Sequence, residues 1–413
     1  LAIIPSYIVY KTKINYKSLK GEIVSKLKTI TLSLVIIFII IFSFSKFYTS
    51  FFREHKPLRY NANPIYWIYS IGNYVHQTLD TAPTEIKDIG LDAKIVEEEN
   101  EPKELIILVI GETARADRFS LNGYSKETNP LLKQEDLVSF TNMSSCGTST
   151  AHSVPCMFSI FPKDDYSYKK GASTKNVLDV LNNTQDVAIL WRDNNSDSKG
   201  VALRVDYEDF QTPKTNSICD EECRDEGMLV GLEDYIEKNK NKNILIVLHQ
   251  MGNHGPAYYK RYPKEFEKFT PVCKTNQLEN CTKEEISNAY DNAILYTDYF
   301  LSKAINFLKK YSKTHEAGLL YVSDHGESLG ENGIYLHGMP YAIAPKAQTH
   351  VASLIWLDNG QMSHEYDRSK IKQNKDKEYS HDNLFDTLLG LFEVKTEVYK
   401  KELDILNEAR KEH

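Results

Sequence analysis

Residues 319–327 read LLYVSDHGE, an apolar run that changes abruptly into charged side chains. The run Leu319–Val322 has the length and composition of a buried strand, and it is followed by Asp324, His325 and Glu327. In open α/β sheets, ligands bind just beyond the carboxyl ends of the strands. The stretch therefore predicts a strand that carries charged and metal-binding groups to one edge of a sheet.

Three other apolar runs end in polar side chains in the same way. Leu105–Ile110 leads into Glu112, Val187–Trp191 leads into Asn195 and Lys199, and Ile244–Leu248 leads into His249 and His254. Parallel strands place their carboxyl ends at a single edge, so we expect these groups to lie close together in the fold.

Helical patterns alternate with the candidate strands. Apolar residues recur at helical spacing over residues 288–311, and a second helix is expected after Ser380, a favourable N-cap residue. A fifth candidate strand is Val351–Leu357. Strands that alternate with helices indicate an α/β sandwich with a mainly parallel central sheet.

The groups at the strand ends form a set of ligands suited to a metal. Glu112 and Asp324 supply carboxylate oxygens and His325 supplies an imidazole nitrogen, a combination that fits Zn²⁺. A catalytic zinc keeps one position for the reacting group, and metal coordination makes a hydroxyl a better nucleophile. The residues indicate a metal-dependent phosphoryl or sulfuryl transferase or hydrolase. Its nucleophile is one of three neighbouring hydroxyls: Thr148, Ser149 or Thr150.

Charge is divided unevenly along the chain. Residues 1–60 carry a net charge of +8 and the remainder −15, which together give the formal net charge of −7. An acidic body would repel phosphate backbones, so we expect no nucleic-acid partner. A basic head on an acidic body instead indicates that the two parts lie in different compartments.

The basic head contains a predicted membrane span. Residues 29–45 read TITLSLVIIFIIIFSFS, seventeen residues without a charge, and we place a transmembrane helix at about 29–47. Six lysines precede it, so the positive-inside rule puts that side in the cytoplasm and the later residues outside the inner membrane. We interpret the opening LAIIPSYIVY as the tail of an earlier membrane helix.

These patterns divide the chain into three regions. Residues 1–50 form the C-terminal part of a membrane domain, residues 51–104 form interfacial helices and a linker, and residues 105–413 form the catalytic domain. The middle region is rich in Tyr and Trp, which favour membrane interfaces, although the same composition also fits an aromatic-rich soluble helix. It ends in the acidic stretch IVEEENEPKE (95–104).

All six cysteines fall into close pairs: Cys146 with Cys156, Cys219 with Cys223, and Cys273 with Cys281. This clustering favours disulfides between neighbours, and disulfides persist in exported domains. No C-x-x-C sequence occurs, which argues against a structural zinc site.

Five longer motifs occur in order along the chain: VIGETARADRFSLNGY (109–124), SSCGTSTAHSVPCMFS (144–159), WRDNNSDSKG (191–200), NHGPAYYKRYP (253–263) and SDHGESLGENGIYLHGMPY (323–341). Together they closely resemble the phosphoethanolamine transferases of Gram-negative bacteria. This family of the alkaline phosphatase superfamily includes lipid A-modifying and mobilised colistin-resistance enzymes. The resemblance covers residues 105–395, and the segment before it resembles the family's last span and linker. It implies an alkaline phosphatase/sulfatase-like fold.

The resemblance also implies roles for individual residues. Thr150 would be the nucleophile and a zinc ligand, and the same zinc site would contain Glu112, Asp324 and His325. A second set would bind the substrate phosphate or a second zinc: His254, His337, Asn195, Lys199 and, beside the metal site, Glu327. The cysteine pairs match family disulfides. His152 and His249 fall outside the motif, and a packing role is expected for His249.

The implied reaction is transfer of phosphoethanolamine from phosphatidylethanolamine to lipid A or another envelope glycan or protein, through a phospho-threonine intermediate. We expect a monomer in the bacterial inner membrane with its catalytic domain in the periplasm, whose product binds polymyxins more weakly. Three alternatives stay open. They are a membrane-tethered sulfatase or phosphatase, a phosphoglycerol transferase, and a membrane-anchored binding protein with a structural metal.

Overall fold

The structure, a computed structural model, describes residues 3–12, 18–79, 85–95 and 101–411. The N-terminal region forms helices that precede the α/β domain, which is called the catalytic domain below: α1 (Ile3–Lys11), α2 (Leu19–Ser43), α3 (Ser45–Glu54) and α4 (Ile65–Leu79).

Helix α2 has the properties of a membrane span. The helix has 25 residues, an 18-residue window within it has a mean hydropathy of 2.2, and none of its side chains is buried. At ~1.5 Å per residue the helix is ~37 Å long, enough to cross a bilayer. The sequence placed the end of the span near residue 47, but α2 ends at Ser43. The backbone of Phe44 leaves the helical conformation (φ −113°, ψ 28°), and α3 begins at the next residue.

The strands are β1 (Lys94–Ile95), β2 (Lys103–Gly111), β3 (Leu137–Ser144), β4 (Val187–Asp193), β5 (Asp206–Asp209), β6 (Asn243–His249), β7 (His315–Ser323), β8 (Ser328–Leu329), β9 (Tyr335–Leu336), β10 (His350–Leu357), β11 (Tyr379–Ser380) and β12 (Val394–Lys395). The five strands predicted from the sequence are β2, β4, β6, β7 and β10, each longer than predicted. Strand β3 was missed because Ser139, Thr141 and Asn142 interrupt its apolar pattern.

Eight strands form the central sheet in the order β11-β3-β10-β7-β2-β6-β4-β5. They all run in one direction except β10, which is antiparallel to both of its neighbours, β3 and β7. The prediction of a mainly parallel sheet is therefore confirmed, with one strand reversed. The small strands β1 and β12 pair with each other, and so do β8 and β9.

Both faces of the sheet are covered by apolar cores. In β2, Ile106, Leu108 and Ile110 point into one core, and the alternating residues Leu105 and Val109 point into the other. A strand that is buried on both faces reads as a continuous apolar run, which is the pattern that identified these strands in the sequence.

The catalytic domain adds helices to both faces: α5 (Thr150–Met157), α6 (Tyr168–Ala172), α7 (Val177–Asn183), α8 (Leu232–Lys238), α9 (Lys283–Leu308), α10 (Lys346–Thr349), α11 (Met362–Glu365), α12 (Arg368–Gln373) and α13 (Leu384–Leu391). Helix α9 begins earlier than the predicted 288–311, because Thr282 and Glu285 cap it reciprocally. The predicted cap at Ser380 is also present: its hydroxyl accepts a hydrogen bond from the Asp382 N–H (3.2 Å), just before α13.

Disulfides join each cysteine to its neighbour in the sequence, as predicted: Cys146–Cys156, Cys219–Cys223 and Cys273–Cys281. The first of these bridges ties Cys156, near the end of α5, to Cys146 in the segment that leaves β3. Part of the acidic linker, residues 96–100, lies outside the described residues. Strand β2 begins at Lys103, two residues before the predicted apolar run Leu105–Ile110.

Candidate active site

The carboxyl ends of β2, β6 and β7 meet at one edge of the sheet. In the strand register, Gly111 of β2 lies opposite Ser323 of β7, and Ile110 lies opposite His249 of β6. The residues that follow these strands therefore leave the sheet at the same level. The structure brings Glu112, Asp324 and His325 together at this edge, as the sequence pattern predicted.

Glu112, Asp324 and His325 form a compact donor set. Their ligand atoms lie within 4.8 Å of one another, with His325 Nε2 at 3.5 Å from Glu112 Oε1 and 3.4 Å from Asp324 Oδ2. All three side chains are fully buried, and within the described part of the chain Asp324 Oδ2 accepts no hydrogen bond. A buried carboxylate oxygen without a partner is costly. The donor set therefore fits a metal cation.

The backbone holds these carboxylates in place. Thr113 adopts a left-handed conformation (φ +61°), which is strained for a threonine and is typical of functional sites. Its N–H donates to Asp324 Oδ1 (3.1 Å), and its hydroxyl donates to Glu112. The His325 N–H donates to the same Asp324 oxygen (2.7 Å). Asp324 thus keeps Oδ1 on the backbone and leaves Oδ2 near His325, whereas both oxygens of Glu112 accept hydrogen bonds from neighbouring side chains.

The two carboxylates have opposite pKa shifts. Burial raises the pKa of Asp324 well above its ordinary value, and the negative charge of Glu112 raises it further. Burial also acts to raise the pKa of Glu112, but the surrounding imidazoles, His325 foremost, outweigh burial and hold this pKa below its ordinary value. Neighbouring carboxylates share a proton unless a cation offsets their charge. The pair therefore has the electrostatics of a cation site.

The hydroxyl of Thr150, one of the three candidate nucleophiles, contacts this donor set. Its Oγ1 donates to Glu112 Oε2 (2.9 Å) and lies 3.4 Å from His325 Nε2. Thr150 is the first residue of α5 and is partly exposed, so the positive end of the helix dipole faces the same point. Thr148, another candidate, instead donates its hydroxyl to the Met339 carbonyl (2.6 Å).

His381 links the loop that carries Thr150 to the loop that carries the donor set. The Cys146 N–H donates to His381 Nδ1 (3.0 Å), and His381 Nε2 donates to the Ser323 carbonyl (2.9 Å). Both bonds are satisfied only by the neutral imidazole that carries its proton on Nε2. Burial lowers the pKa of His381 to about 4, which keeps that form dominant at neutral pH.

A second group of side chains adjoins the donor set. His325, Glu327 and His337 also have ligand atoms within 4.8 Å of one another, and the rings of His325 and His337 lie 4.2 Å apart. Glu327 Oε2 pairs with His337 Nδ1 (2.6 Å), and Glu327 Oε1 accepts from the Tyr258 hydroxyl (2.5 Å). Glu327 therefore orients His337, whose Nε2 faces the ring of His254.

The pKa values of this second group indicate neutral imidazoles. Burial lowers the pKa of His254 to about 4 and takes that of His337 well below its ordinary value. Burial raises the pKa of Glu327 to about 7. Neutral imidazoles present lone pairs, so His254 and His337 are suited to accept a cation or a hydrogen-bond donor.

Asn195 and Lys199 occupy different positions. The Asn195 side-chain amide is buried and donates to Glu112 Oε2 (2.8 Å) and to the Gln250 carbonyl (2.8 Å), so it supports the donor set. Lys199 instead donates to the Ser196 carbonyl (3.2 Å). Lys199 lines a cavity together with Ala151, the neighbour of Thr150, and so lies at the rim of the site.

The two remaining histidines that the sequence singled out lie outside the donor set. His249 is buried against Trp191 and pairs with Asp193 Oδ2 through Nδ1 (2.8 Å). His152 is exposed on α5, where its ring makes an edge contact with Tyr166 at 5.2 Å.

Sequence reasoning missed three residues of the site. Tyr258 lies inside the NHGPAYYKRYP motif, but nothing in the sequence predicts that its hydroxyl donates a hydrogen bond to Glu327. His381 follows the predicted cap at Ser380, and nothing in the sequence links it to Cys146. Arg53 is one of several basic residues near the membrane span, and its Nη2 reaches His254 and His337.

Family models match both parts of the chain. Residues 104–394 match the model described as Sulfatase, and residues 1–79 match the model described as Phosphoethanolamine transferase EptA/EptB. The first match agrees with the sheet and with a site at its carboxyl edge. Together they define the class: an enzyme with an alkaline phosphatase/sulfatase-like fold, preceded by an apolar helix.

Individual relatives narrow the class. Phosphatidylethanolamine transferase Mcr-2 of Escherichia coli is 47% identical over 405 residues, which cover 95% of this chain and 74% of the relative. Phosphoethanolamine transferase EptA of Escherichia coli K12 is 44% identical over 388 residues, 92% of this chain and 70% of the relative. The solved structure of the integral membrane protein lipooligosaccharide phosphoethanolamine transferase A from Neisseria meningitidis aligns with a TM-score of 0.80 at 36% identity, covering 100% of this chain and 77% of that chain. The chain belongs to the phosphoethanolamine transferase family.

Proposed function

We propose that this enzyme transfers phosphoethanolamine from phosphatidylethanolamine to lipid A or another cell-envelope acceptor, through a covalent adduct on Thr150 at a zinc site. The relatives support the donor and acceptor classes, since one is named a phosphatidylethanolamine transferase and another a lipooligosaccharide phosphoethanolamine transferase. The observation that carries the proposal is the position of Thr150 Oγ1, 2.9 Å from Glu112 Oε2 and 3.4 Å from His325 Nε2.

The reaction has two balanced steps. In the first, Thr150 Oγ1 bonds to the donor phosphorus, the bond from phosphorus to the diacylglycerol oxygen breaks, and diacylglycerol leaves with a proton. In the second, an acceptor oxygen bonds to the same phosphorus, and Thr150 Oγ1 leaves and regains a proton. Glu112 Oε2, which accepts the Thr150 hydroxyl hydrogen, is placed to direct that proton away from the attacking lone pair.

Glu112, Asp324 and His325 would hold the proposed metal, and Thr150 would be a further ligand. Zinc at this position would lower the pKa of the hydroxyl and offset the negative charge of the phosphate. The N-terminus of α5 points its dipole at the same phosphate. We assign His254 and His337 to the phosphate or to a second metal, and Lys199 to the rim where the donor or acceptor enters.

We further propose that α2 crosses the inner membrane and that the catalytic domain lies in the periplasm as a monomer. The exposed apolar surface of α2 supports the span. The lysines before it and the three disulfides after it support the orientation. A lipid donor is reached most easily by a domain tethered at the bilayer, because tethering raises the effective concentration.

Mass spectrometry of the full chain after incubation with vesicles of phosphatidylethanolamine tests the nucleophile. We expect a phosphoethanolamine adduct on Thr150, none in Thr150→Ala, and an adduct in the matched control Thr148→Ala. An adduct on Thr148 or Ser149 would overturn the assignment.

The alternatives are separated by changing the donor and the acceptor. A phosphoglycerol transferase would form its adduct from vesicles of phosphatidylglycerol rather than from phosphatidylethanolamine. Both a hydrolase and the proposed enzyme release diacylglycerol in the first step. A hydrolase would then pass phosphoethanolamine to water at the same rate with and without lipid A, whereas the proposed enzyme should transfer it to lipid A.

A further inference from the structure

Helix α3 packs one face on the catalytic domain. Ser45 donates a hydrogen bond to the Gly333 carbonyl (2.6 Å), and Ser50, which is only 1% exposed, accepts one from the Leu278 N–H (3.1 Å). Both partners belong to loops of the catalytic domain. These bonds fix which side chains of the membrane-proximal helix face that domain.

Arg53 lies on the same face, three positions after Ser50. Its Nη2 is 3.1 Å from His254 Nε2 and 3.0 Å from His337 Nε2. The guanidinium thus lies between the two histidines of the second group. The His337 ring lies 4.2 Å from the ring of His325, whose Nε2 is 3.4 Å from the Thr150 hydroxyl. Arg53 therefore belongs to the same pocket as the proposed nucleophile, although the chain separates them by almost a hundred residues.

The hydrogen bonds of Arg53 go to imidazoles, while the carboxylate of Glu327, which is bonded to His337, interacts with its charge at longer range. The described hydrogen-bond partners of Arg53 are imidazole lone pairs rather than carboxylates, and arginine keeps its charge at every accessible pH. Both contacts use a single nitrogen, whereas a guanidinium has five N–H groups arranged as a fork that matches two phosphate oxygens. A side chain held in this way is oriented in advance to receive an anion.

We propose that Arg53 binds a non-bridging oxygen of the transferred phosphate, so that the membrane-proximal helix supplies a substrate-binding residue to the active site. The proposal rests on the proposed function, because it takes a phosphodiester as the substrate. If the proposal is correct, activity depends on the docking of α3, because the guanidinium of Arg53 reaches the pocket only while α3 lies against the catalytic domain.

The test measures phosphate binding separately from catalysis. The zinc-loaded full chain in detergent is titrated with inorganic phosphate while its melting temperature is followed, and adduct formation on Thr150 is measured in vesicles of phosphatidylethanolamine and phosphatidylglycerol. We expect Arg53→Gln to weaken phosphate binding about 10- to 100-fold and to slow adduct formation by a similar factor, because a charge-assisted bidentate bond is lost. Arg53→Lys keeps the charge without the fork and should weaken phosphate binding about 3- to 10-fold.

Lys46→Gln is the matched control. Lys46 lies on the same helix and donates to the Cys281 carbonyl, away from both histidines. We expect this variant to bind phosphate within about 3-fold of the wild type, because Lys46 contributes one charge-assisted hydrogen bond to the docking of α3 and has no described hydrogen bond to either histidine. Equal losses in Arg53→Gln and Lys46→Gln would mean that Arg53 only docks the helix, and the proposal would fall.

Other results of the same experiments also test whether Arg53 binds phosphate. Phosphate binding that is unchanged in either Arg53 variant, or absent from the wild type, overturns the proposal. An additional equivalent of bound zinc in Arg53→Gln, with phosphate binding unchanged, would identify His254 and His337 as a second metal site instead. If phosphate binds through Arg53 but phosphatidylethanolamine gives no adduct, the proposed function fails and the Arg53 site stands.

Discussion

Acidification should destabilise the protein through His381. This side chain is buried and bridges the Cys146 N–H and the Ser323 carbonyl in its neutral form. Protonation would place a hydrogen on Nδ1, against the Cys146 N–H that it now accepts. The perturbation is therefore a fall in pH, and the structural consequence is a loss of contact between the loop of Thr150 and the loop of Asp324.

The magnitude follows from the pKa values of the two states. Burial lowers the pKa of folded His381 to about 4, and an exposed histidine in the unfolded chain has a pKa of about 6.5. Below pH 6.5 the unfolded state binds more protons, so the free energy of unfolding falls as the pH falls, until the folded state titrates near pH 4. The shift corresponds to about 3 kcal/mol in full, and to about 2 kcal/mol between pH 7 and pH 5.

Thermal unfolding of the zinc-saturated chain in detergent, followed by tryptophan fluorescence at pH 7 and pH 5, measures the effect. Other groups also titrate over this range, so the quantity of interest is the difference between the wild type and His381→Gln. The variant starts less stable at pH 7 but should lose about 2 kcal/mol less between the two pH values, a few degrees in melting temperature.

His364→Gln is the control, since it removes an exposed imidazole on α11 and leaves the bridge made by His381 in place. Equal losses of stability in the wild type and His381→Gln would refute the reasoning, because they would mean that His381 takes up no proton on unfolding in this range.

Three further predictions concern groups around the site. Gly326→Ala places a Cβ 2.1 Å from a backbone carbonyl oxygen, so the purified variant should retain less metal by elemental analysis; full retention would contradict this. A chelator should lower the melting temperature of the wild type by several degrees and leave that of Glu112→Gln nearly unchanged, because only the wild type loses a bound ligand. Replacing both Cys146 and Cys156 by serine opens a loop with a sequence separation of 10 and should cost about 3 kcal/mol in denaturant unfolding; a variant as stable as the wild type would exclude a structural role for this bridge.

The sequence could predict that Glu112 and Asp324 lie close together, because the carboxyl ends of parallel strands meet at one edge of a sheet. The apolar runs before Glu112 and Asp324 are buried on both faces, so their composition identified the strands, and parallel pairing then placed their ends together. The same reasoning failed for β3, where polar residues break the pattern, and for the end of α2, where no glycine or proline marks the change of direction at Phe44.

The spacing of residues in the sequence could not predict which of the neighbouring hydroxyls contacts the donor set. Thr148 and Thr150 have equivalent side chains two positions apart, and only the fold decides between them. The hydroxyl of Thr148 is occupied by the Met339 carbonyl, while that of Thr150 points at Glu112. Contacts between segments that lie far apart in the chain, such as His381 with Cys146, leave no periodic signal in the sequence.

The uneven division of charge along the chain also bears on the active site, because a cation from the basic N-terminal region lies beside buried carboxylates of the acidic region. Glu112, Asp324 and Glu327 are fully buried at the centre, and burial keeps the nearby histidines neutral. Burial raises the pKa of Asp324 and of Glu327, so cations are needed to keep these carboxylates ionised and to admit an anionic phosphate. Zinc would provide two positive charges, and Arg53, whose charge acts to lower the pKa of Glu327, would add a third. That cation comes from the region with a net charge of +8, whereas the rest of the chain carries −15. Without α3, the pocket of the catalytic domain would then be net negative toward its anionic substrate. The positive charge of Arg53 on α3 would reduce that negative charge.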